Sequence, residues 1–328
     1  MSSAAVLASI AGSALGQTPN AGADSPPGSP VVGTRGQAMT PLPPRADGKP
    51  PDYAFGAYQR GNFLFALREA ERRIDQNPRD AAAMTLIGET YRDGAAVPKS
   101  DLEASRWFRL ASNLGDPQAA YQLGVLLLEG ANGVPKDPVA AKQQFERAAA
   151  KNQPGALYNL GVMALDSTNG RKPDFTAAAQ YFLDSARAGD ENGAYSYGVM
   201  LREGKGVPQN VAEGARWLKR AADGGIIAGQ VEYAIMLFNG EGVPKDEAGA
   251  VKILEIAAAK GNPIAQNRLA HLYVVGRVVK RDLAKAAAWN AFAKAGGLTD
   301  QDLDVATANL TADERGRFTK IVRSQIGY

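Results

Sequence analysis

Large side chains recur at a fixed distance along most of this chain. One large residue from the middle of each unit gives a marker column spaced 36 or 37 residues apart. The column is Trp107, Gln144, Tyr181, Trp217, Ile253 and Trp289. Small residues stand three before and four after each marker, as Ala104 and Ala111 do around the first, and such offsets share one helical face. The pattern predicts a tandem array with one such helix in each unit.

A second column marks where each of these helices ends. Eight residues after each marker stands a residue that tolerates the left-handed conformation closing a helix. This column is Gly115, Asn152, Gly189, Gly225, Gly261 and Gly297. A second helix then carries Leu123, Leu160, Tyr197, Tyr233 and Leu269, each followed by Gly or Ala. Such a small column predicts close helix-helix contact.

Turn and cap residues complete the repeating unit. Gly206-Val207-Pro208 and Gly242-Val243-Pro244 predict turns between units, because Pro stops a helix from continuing. Asp137 and Asp246 stand where an acidic side chain caps the next helix. A helical hairpin cannot bury its apolar face alone, so stacked neighbours must supply the core. We therefore expect an all-α fold, a right-handed α/α superhelical solenoid with a concave surface.

These residues also carry a family resemblance. The pattern Ala-x-x-Trp-x-x-x-Ala-Ala-x-x-Gly, seen from Gly214 to Gly225, and Gly-x-Gly-Val-Pro, seen from Gly240 to Pro244, resembles the Sel-1-like repeat, a relative of the tetratricopeptide repeat. We assign residues 100–297 to Sel-1-like repeats and 53–99 to a tetratricopeptide-like first repeat. The turn at 169–173 departs from the pattern. Residues 298–328 are predicted to form a C-terminal helical cap, whose last helix opens with a capping box at Thr311 and Glu314.

The first 52 residues have a different character. The small apolar run from Ala4 to Gly16 ends in a small-x-small sequence, which predicts a signal peptide at 1–16 and a periplasmic or secreted protein. No basic residue precedes the run, so a flexible tail on a cytoplasmic protein is the alternative. Residues 17–52 hold nine of the 19 prolines and predict a disordered Pro/Gly-rich linker. No stretch approaches the roughly 20 apolar residues of a transmembrane helix.

Composition narrows the possible chemistry. The net charge is +3, with 37 basic and 34 acidic residues evenly mixed, so we expect no nucleic-acid partner. The chain has no Cys and one His, which removes thiolate and two-histidine metal sites. We predict no catalytic residue, no cofactor and no metal. His271 falls in an apolar column and is expected to be packed, while Glu129, Asp166 and Glu203 are expected to bond turn amides.

One set of residues suggests a binding surface. Polar side chains, several of them basic, stand before the markers and one turn later. This polar stripe consists of Arg106, Arg109, Gln143, Gln180, Arg216, Lys219, Arg220 and Lys252. In the tetratricopeptide superfamily the first helices line the concave groove, and the resemblance implies the same here. Our hypothesis is that the stripe binds a carboxylate-bearing segment of a protein partner, with a merely solvated helix face as the alternative.

The predicted function is a non-catalytic protein-protein interaction scaffold or adaptor, an envelope regulator or assembly factor. A cell-wall or glycan binder is one alternative, but it needs exposed aromatic rings, and Trp107, Trp217 and Trp289 are expected to be core residues. A penicillin-binding or lactam-hydrolysing protein is another, implied by cysteine-rich members of the family. This chain lacks their cysteines, and no nucleophile with an aligned base is visible.

Overall fold

A computed structural model describes residues 52–167 and 172–326 of the chain. The predicted signal peptide and the linker up to residue 51 lie outside the described residues, as does most of the variant turn at 169–173. In the described ranges the chain forms 16 helices and no strand. The all-α prediction is confirmed.

The chain forms two compact units, one ending at Met163 and one beginning at Ala164. The helices of the first unit are α1 (Tyr53–Gln59), α2 (Phe63–Gln76), α3 (Ala81–Asp93), α4 (Asp101–Asn113), α5 (Pro117–Glu129), α6 (Pro138–Ala149) and most of α7 (Pro154–Leu165). Those of the second are α8 (Phe175–Arg187), α9 (Glu191–Glu203), α10 (Val211–Asp223), α11 (Ile227–Asn239), α12 (Glu247–Ala259), α13 (Pro263–Val275), α14 (Leu283–Ala295), α15 (Gln301–Thr307) and α16 (Ala312–Ile326).

Within each unit, most helices that are consecutive in the chain pack against one another. In the first unit α4 packs on α5 and α5 on α6, and in the second α10 packs on α11 and α11 on α12. The even-numbered helices α4 to α14 carry the markers and are called first helices below. The odd-numbered helices α3 to α13 are called second helices. This stacking of hairpins is the solenoid arrangement that the repeat predicts.

The core residue of each first helix is one position later than the marker. Phe108, Phe145, Phe182 and Leu218 are fully buried, and Leu254 and Asn290 nearly so. The markers themselves are half-buried, so the expectation that the three tryptophans are core residues is corrected. The buried residue lies four positions after one small residue and three before the other, which places it in the middle of the inward face.

Small residues on the second helices receive these buried rings. A Cβ atom on Gly88 or Gly124 would lie 2.5 or 2.6 Å from a ring carbon of Phe108 or Phe145. The predicted close contact is therefore confirmed, and its cause is an aromatic ring lying directly on a glycine backbone.

Backbone conformation confirms the predicted helix ends and turns. All six residues of the closing column have positive φ, including Asn152 at 56°. Gly206, in the turn before α10, lies so close to α8 that a Cβ there would be 2.0 Å from the Phe175 carbonyl oxygen. In the turn before α14, Val278 stands at the position that Gly206 and Gly242 hold in the two preceding turns, and its φ of 67° is also left-handed. Asp137 and Asp246 cap α6 and α12 as expected.

The C-terminal helices close the second unit. The capping box is confirmed, because Thr311 N donates to Glu314 Oε2 at 2.8 Å and Glu314 N donates to Thr311 Oγ1 at 3.3 Å. Helix α16 packs on α14, and Arg317 Nη1 lies 2.8 Å from Asp282 Oδ2. Ala284 of α14 is fully buried, although the residues at its position in the other first helices are exposed. These residues are Leu102, Val139, Thr176, Ala212 and Ala248.

Candidate protein-binding surface

In the first unit the polar stripe is open to solvent. Arg106 and Arg109 of α4 and Gln143 of α6 are exposed. Arg106 Nη1 lies 2.5 Å from Glu103 Oε1, one turn earlier on the same helix. Arg109 pairs with no carboxylate among the residues that the structure describes. In the first unit, Arg106 therefore has an exposed local partner, and Arg109 has none within the described ranges.

In the second unit most of the stripe is also exposed but is more fully paired. Gln180 Nε2 donates to Asp184 Oδ2 at 2.9 Å, and Arg216 Nη1 lies 3.1 Å from Glu213 Oε2. Lys219 Nζ lies 2.6 Å from Asp223 Oδ2, and this hydrogen bond raises the pKa of Lys219. The exposed Lys252 has no ion pair within the described part of the chain. The pairs of Gln180, Arg216 and Lys219 each join residues of the same helix that stand three or four positions apart.

Arg220 differs from the other members of the stripe. It is half-buried, and its Nε lies 3.2 Å from Glu191 Oε2 at the start of α9. Its guanidinium also lies over the Trp217 ring, 5.5 Å from the centroid. The contact with Glu191 ties α9 to α10, so Arg220 is held by its own unit more firmly than Arg216 or Lys219.

A groove runs along α4 in the first unit. Its volume is about 510 Å³, and its opposite wall is the turn Gly133-Val134-Pro135 before α6. Arg106 and Arg109 line it together with Leu102 and Leu110, which are 37% and 50% exposed. The two leucines were not among the binding residues predicted from the sequence. Their signal was their spacing, since they stand four residues before and four after Arg106.

A similar groove of about 450 Å³ runs along α8 in the second unit. Thr176, Gln180 and Leu183 line one side, and Gly206-Val207 of the following turn lines the other. The close approach of Gly206 to the start of α8 brings this wall into place. Among the described residues no Lys or Arg lines this groove, so the two grooves share a construction but differ in charge.

The tryptophans are not free stacking platforms. Trp217 makes an edge-to-face contact with Tyr197, with centroids 5.6 Å apart, and Trp289 contacts Phe292 at 5.8 Å. Sugar-binding aromatics present an open ring face, whereas these rings are half-buried between helices.

His271 joins two helices of the second unit. Its Nε2 lies 2.8 Å from Asp300 Oδ2, and Asn267 Nδ2 donates to the same oxygen at 2.9 Å. The hydrogen bond from Asn267, and after it the one with His271, lowers the pKa of Asp300 to about 2. The His271 side chain is 44% exposed, so the expectation of a packed residue is corrected. Asp300 caps α15, and the cluster is thus part of the cap's attachment to α13.

Of the recurring acidic residues, Glu203 makes a different contact from the expected one. Glu203 Oε2 lies 2.8 Å from Lys205 Nζ, a side chain rather than a turn amide. Burial raises the pKa of Glu129. Within the described ranges, no cluster of three or more His, Cys, Asp or Glu residues could hold a metal ion. The helices of those ranges include none long and apolar enough to cross a bilayer.

Hairpin stacking, left-handed helix closures and an open polar face define a helical repeat protein of the solenoid class. The sequence matches the Sel1 repeat at residues 81–116, 117–153, 154–190, 192–226, 227–262 and 263–290. These matches cover more than half of the chain, and the chain belongs to the Sel1 repeat family.

Solved structures support the same fold. One is the crystal structure of c5321, a protective antigen present in uropathogenic Escherichia coli strains displaying an SLR fold, at TM-score 0.71 and 21% identity. The similarity covers 84% of this chain and 61% of the Escherichia coli protein. Another is a Sel1 repeat protein from Oxalobacter formigenes, at TM-score 0.64 and 28% identity, covering 74% of this chain and 98% of that one. No curated protein sequence matches the chain significantly.

Proposed function

We propose that this chain is a non-catalytic adaptor of the cell envelope that captures a carboxylate-bearing protein segment on its polar stripe. Sel1 repeat proteins are generally protein interaction scaffolds. The observation that carries the proposal is the exposed first-helix face, which presents cations in both units while the opposite face of the same helices is fully buried.

The local ion pairs of the stripe leave its cations available. Arg106 and Arg216 are 62% and 79% exposed, and each pairs with a glutamate three residues earlier on its own helix. Exposed pairs of this kind contribute only about 0–1 kcal/mol. A partner carboxylate that forms a bidentate pair with Arg can therefore replace the local glutamate.

Site-specific photocrosslinking in the producing cells tests the proposal. A photoreactive amino acid is placed at Gln143 or Lys252 on the stripe and, as controls, at Ala82 or Arg268, which are exposed on second-helix surfaces. We expect one defined protein to crosslink at the stripe positions and not at the controls. Equal crosslinking at all four positions, or none at the stripe, would contradict the proposal.

Charge reversal provides a second readout. Changing Arg106, Arg216 and Lys252 together to Glu is expected to remove the crosslinked partner, because the carboxylates then face like charges. The same three changes to Gln keep side-chain polarity and should weaken capture less. An unaltered crosslinking pattern in the Glu variant would leave the stripe as a solvated surface.

The envelope location is supported by the small apolar run from Ala4 to Gly16 and its small-x-small ending. Cell fractionation with mass spectrometry of the intact chain tests it. A periplasmic or secreted protein shortened at its N-terminus is expected, whereas a full-length cytoplasmic protein would overturn the localisation.

A glycan partner remains the alternative occupant. Half-buried tryptophans with edge-to-face neighbours favour a protein partner over a sugar chain. Sedimentation with purified cell wall separates the two, since a scaffold of this kind should stay in the supernatant.

A further inference from the structure

Three exposed side chains on α4 form a line in which a basic residue stands between two apolar ones. Leu102, Arg106 and Leu110 are four residues apart and all exposed. Four residues of an α-helix rise about 6 Å, so the two leucines lie about 12 Å apart with the guanidinium between them. The line faces the α4 groove, whose other wall includes Val134 and Pro135.

An extended peptide has a matching repeat. Alternate residues of an extended chain point to the same side and lie about 6.6–6.8 Å apart. Residues 1, 3 and 5 of such a peptide therefore meet the three side chains of α4 in register. We propose that the α4 groove binds a short extended segment of a partner protein with the pattern apolar-x-acidic-x-apolar.

Charge favours an acidic residue in the middle of that pattern. Arg109 has no carboxylate partner in the described ranges, and Arg106 is paired only with the exposed Glu103. An incoming carboxylate thus meets two guanidinium groups. Apolar residues on either side contact Leu102 and Leu110, which would otherwise remain in water.

The α8 groove is an internal control. The residues at the positions of Leu102, Arg106 and Leu110 are Thr176, Gln180 and Asp184, a polar line that ends in a carboxylate. It has the same kind of turn as its second wall, Gly206-Val207. This groove should therefore reject the acidic peptide that the α4 groove accepts.

The proposal rests on the proposed function and narrows it to one peptide pattern at one groove. The test is fluorescence anisotropy of the full chain with a fluorescein-labelled peptide, Ser-Leu-Thr-Glu-Thr-Leu-Ser. The comparison peptides replace Glu with Gln, or permute the same residues so that both Leu are adjacent. We expect the first peptide to bind at least about tenfold more tightly than either, because a hydrogen bond to a charged group is strong and depends on register.

Variants of the chain locate the binding. Arg106→Ala and Arg109→Ala are each expected to weaken binding about tenfold, while Thr176→Ala in the α8 groove leaves it unchanged. Leu102→Ala and Leu110→Ala should each weaken it severalfold without altering the circular dichroism spectrum, since both side chains are exposed. Recovery of binding by Arg106→Glu with a peptide carrying Lys in place of Glu would confirm the register.

Equal binding of the permuted peptide, or unchanged binding by Arg106→Ala with Arg109→Ala, overturns the proposal. So does tighter binding of a helical peptide that carries Leu, Glu and Leu four residues apart. If the peptide-binding experiments fail while crosslinking stays specific to the stripe, only the proposed α4 peptide pattern is refuted. If the crosslinking itself fails, the proposed function is refuted.

Discussion

Single glycines set how closely the helices of this chain approach. Gly124 lies in the interior of α5, where Ala would ordinarily favour the helix by about 1 kcal/mol. A methyl group there would lie 2.6 Å from the buried ring of Phe145, which has no room to move. Gly316 in α16 has nothing within 4 Å of its added Cβ. The same substitution thus has opposite consequences at the two sites.

Gly124→Ala should destabilise the first unit by about 1–3 kcal/mol, because overpacking outweighs helix propensity. Gly316→Ala should stabilise by up to about 1 kcal/mol. Urea unfolding followed by circular dichroism measures both. Stabilisation by Gly124→Ala would mean that the ring does not lie on the glycine.

Val278 holds a backbone conformation that its side chain disfavours. Its φ is 67°, and a left-handed residue with a Cβ costs roughly 1–2 kcal/mol. Val278→Gly should raise the stability of the second unit by about 1 kcal/mol, or about 2–4 °C in melting temperature. The reverse change at the equivalent turn, Gly242→Val, should destabilise, since a Cβ there lies 2.7 Å from the Val211 carbonyl oxygen. A lower melting temperature for Val278→Gly would contradict this account.

The sequence predicted glycine positions better than buried ones. Left-handed closures restrict residue type so strongly that Gly115 and Asn152 were identified from their column alone. The buried position was harder to predict, because two adjacent large residues, such as Trp107 and Phe108, both lie near the inward face of the helix. Each column has one polar member, Gln144 among the markers and Asn290 in the buried column. Residue type alone therefore did not show which of the two columns is buried.

At the scale of elements, α16 packs against α14 on a face that is exposed in the other first helices. Ala284 and Ala288 of α14 are fully buried, whereas the residues at their positions in the other first helices are exposed. Ala284→Arg should therefore displace α16, while Ala212→Arg, at the same position of α10 and exposed, should be nearly neutral. Hydrogen exchange of α16 measures the effect. Unchanged protection of α16 in Ala284→Arg would show that another element covers this face.

The attachment of α15 should depend on pH. The pKa of Asp300 is about 2 in the folded protein, below the ordinary value of about 3.9 for Asp. A lowered pKa stabilises the folded state above the unfolded value, and this contribution is lost as pH falls from about 4 to about 2. Asp300→Asn should lower stability at pH 7 and flatten the profile in that window, as urea midpoints would show. Asp302→Asn, exposed on the same helix, is the control.

The elements of the candidate surface were only partly predictable. The polar residues before each marker were visible as a column, but the pairing of Arg220 with Glu191 depends on how α9 meets α10. Leu102 and Leu110 of α4 were not predicted as surface residues, because leucines at such spacing are ordinary on the buried face of an amphipathic helix. Only the packing shows that their face is exposed. A groove needs a second wall, and only the structure places the turn at Gly133 opposite α4.

At the scale of the molecule, a repeat chain should unfold locally rather than as one body. Within each unit, hairpins contact their neighbours along the chain, so the stability of a hairpin is close to the sum of its own contribution and those of its nearest-neighbour contacts. A cavity made in one hairpin should therefore open that region first, and distant helices should keep their protection.

Two matched cavities test this behaviour. Phe145→Ala removes the ring from Gly124 of α5, and Leu218→Ala removes the side chain that lies on Gly198 of α9. Large-to-small changes at fully buried sites cost about 2–5 kcal/mol, enough to bring local opening into the range of hydrogen exchange. We expect Phe145→Ala to speed exchange in α5 and α6 and to leave α11 and α12 protected. Leu218→Ala should speed exchange in α9 and α10 and leave α3 and α4 protected. If either variant accelerated exchange equally in all of these helices, the chain would be folding as one cooperative body, and nearest-neighbour stacking would not govern its stability.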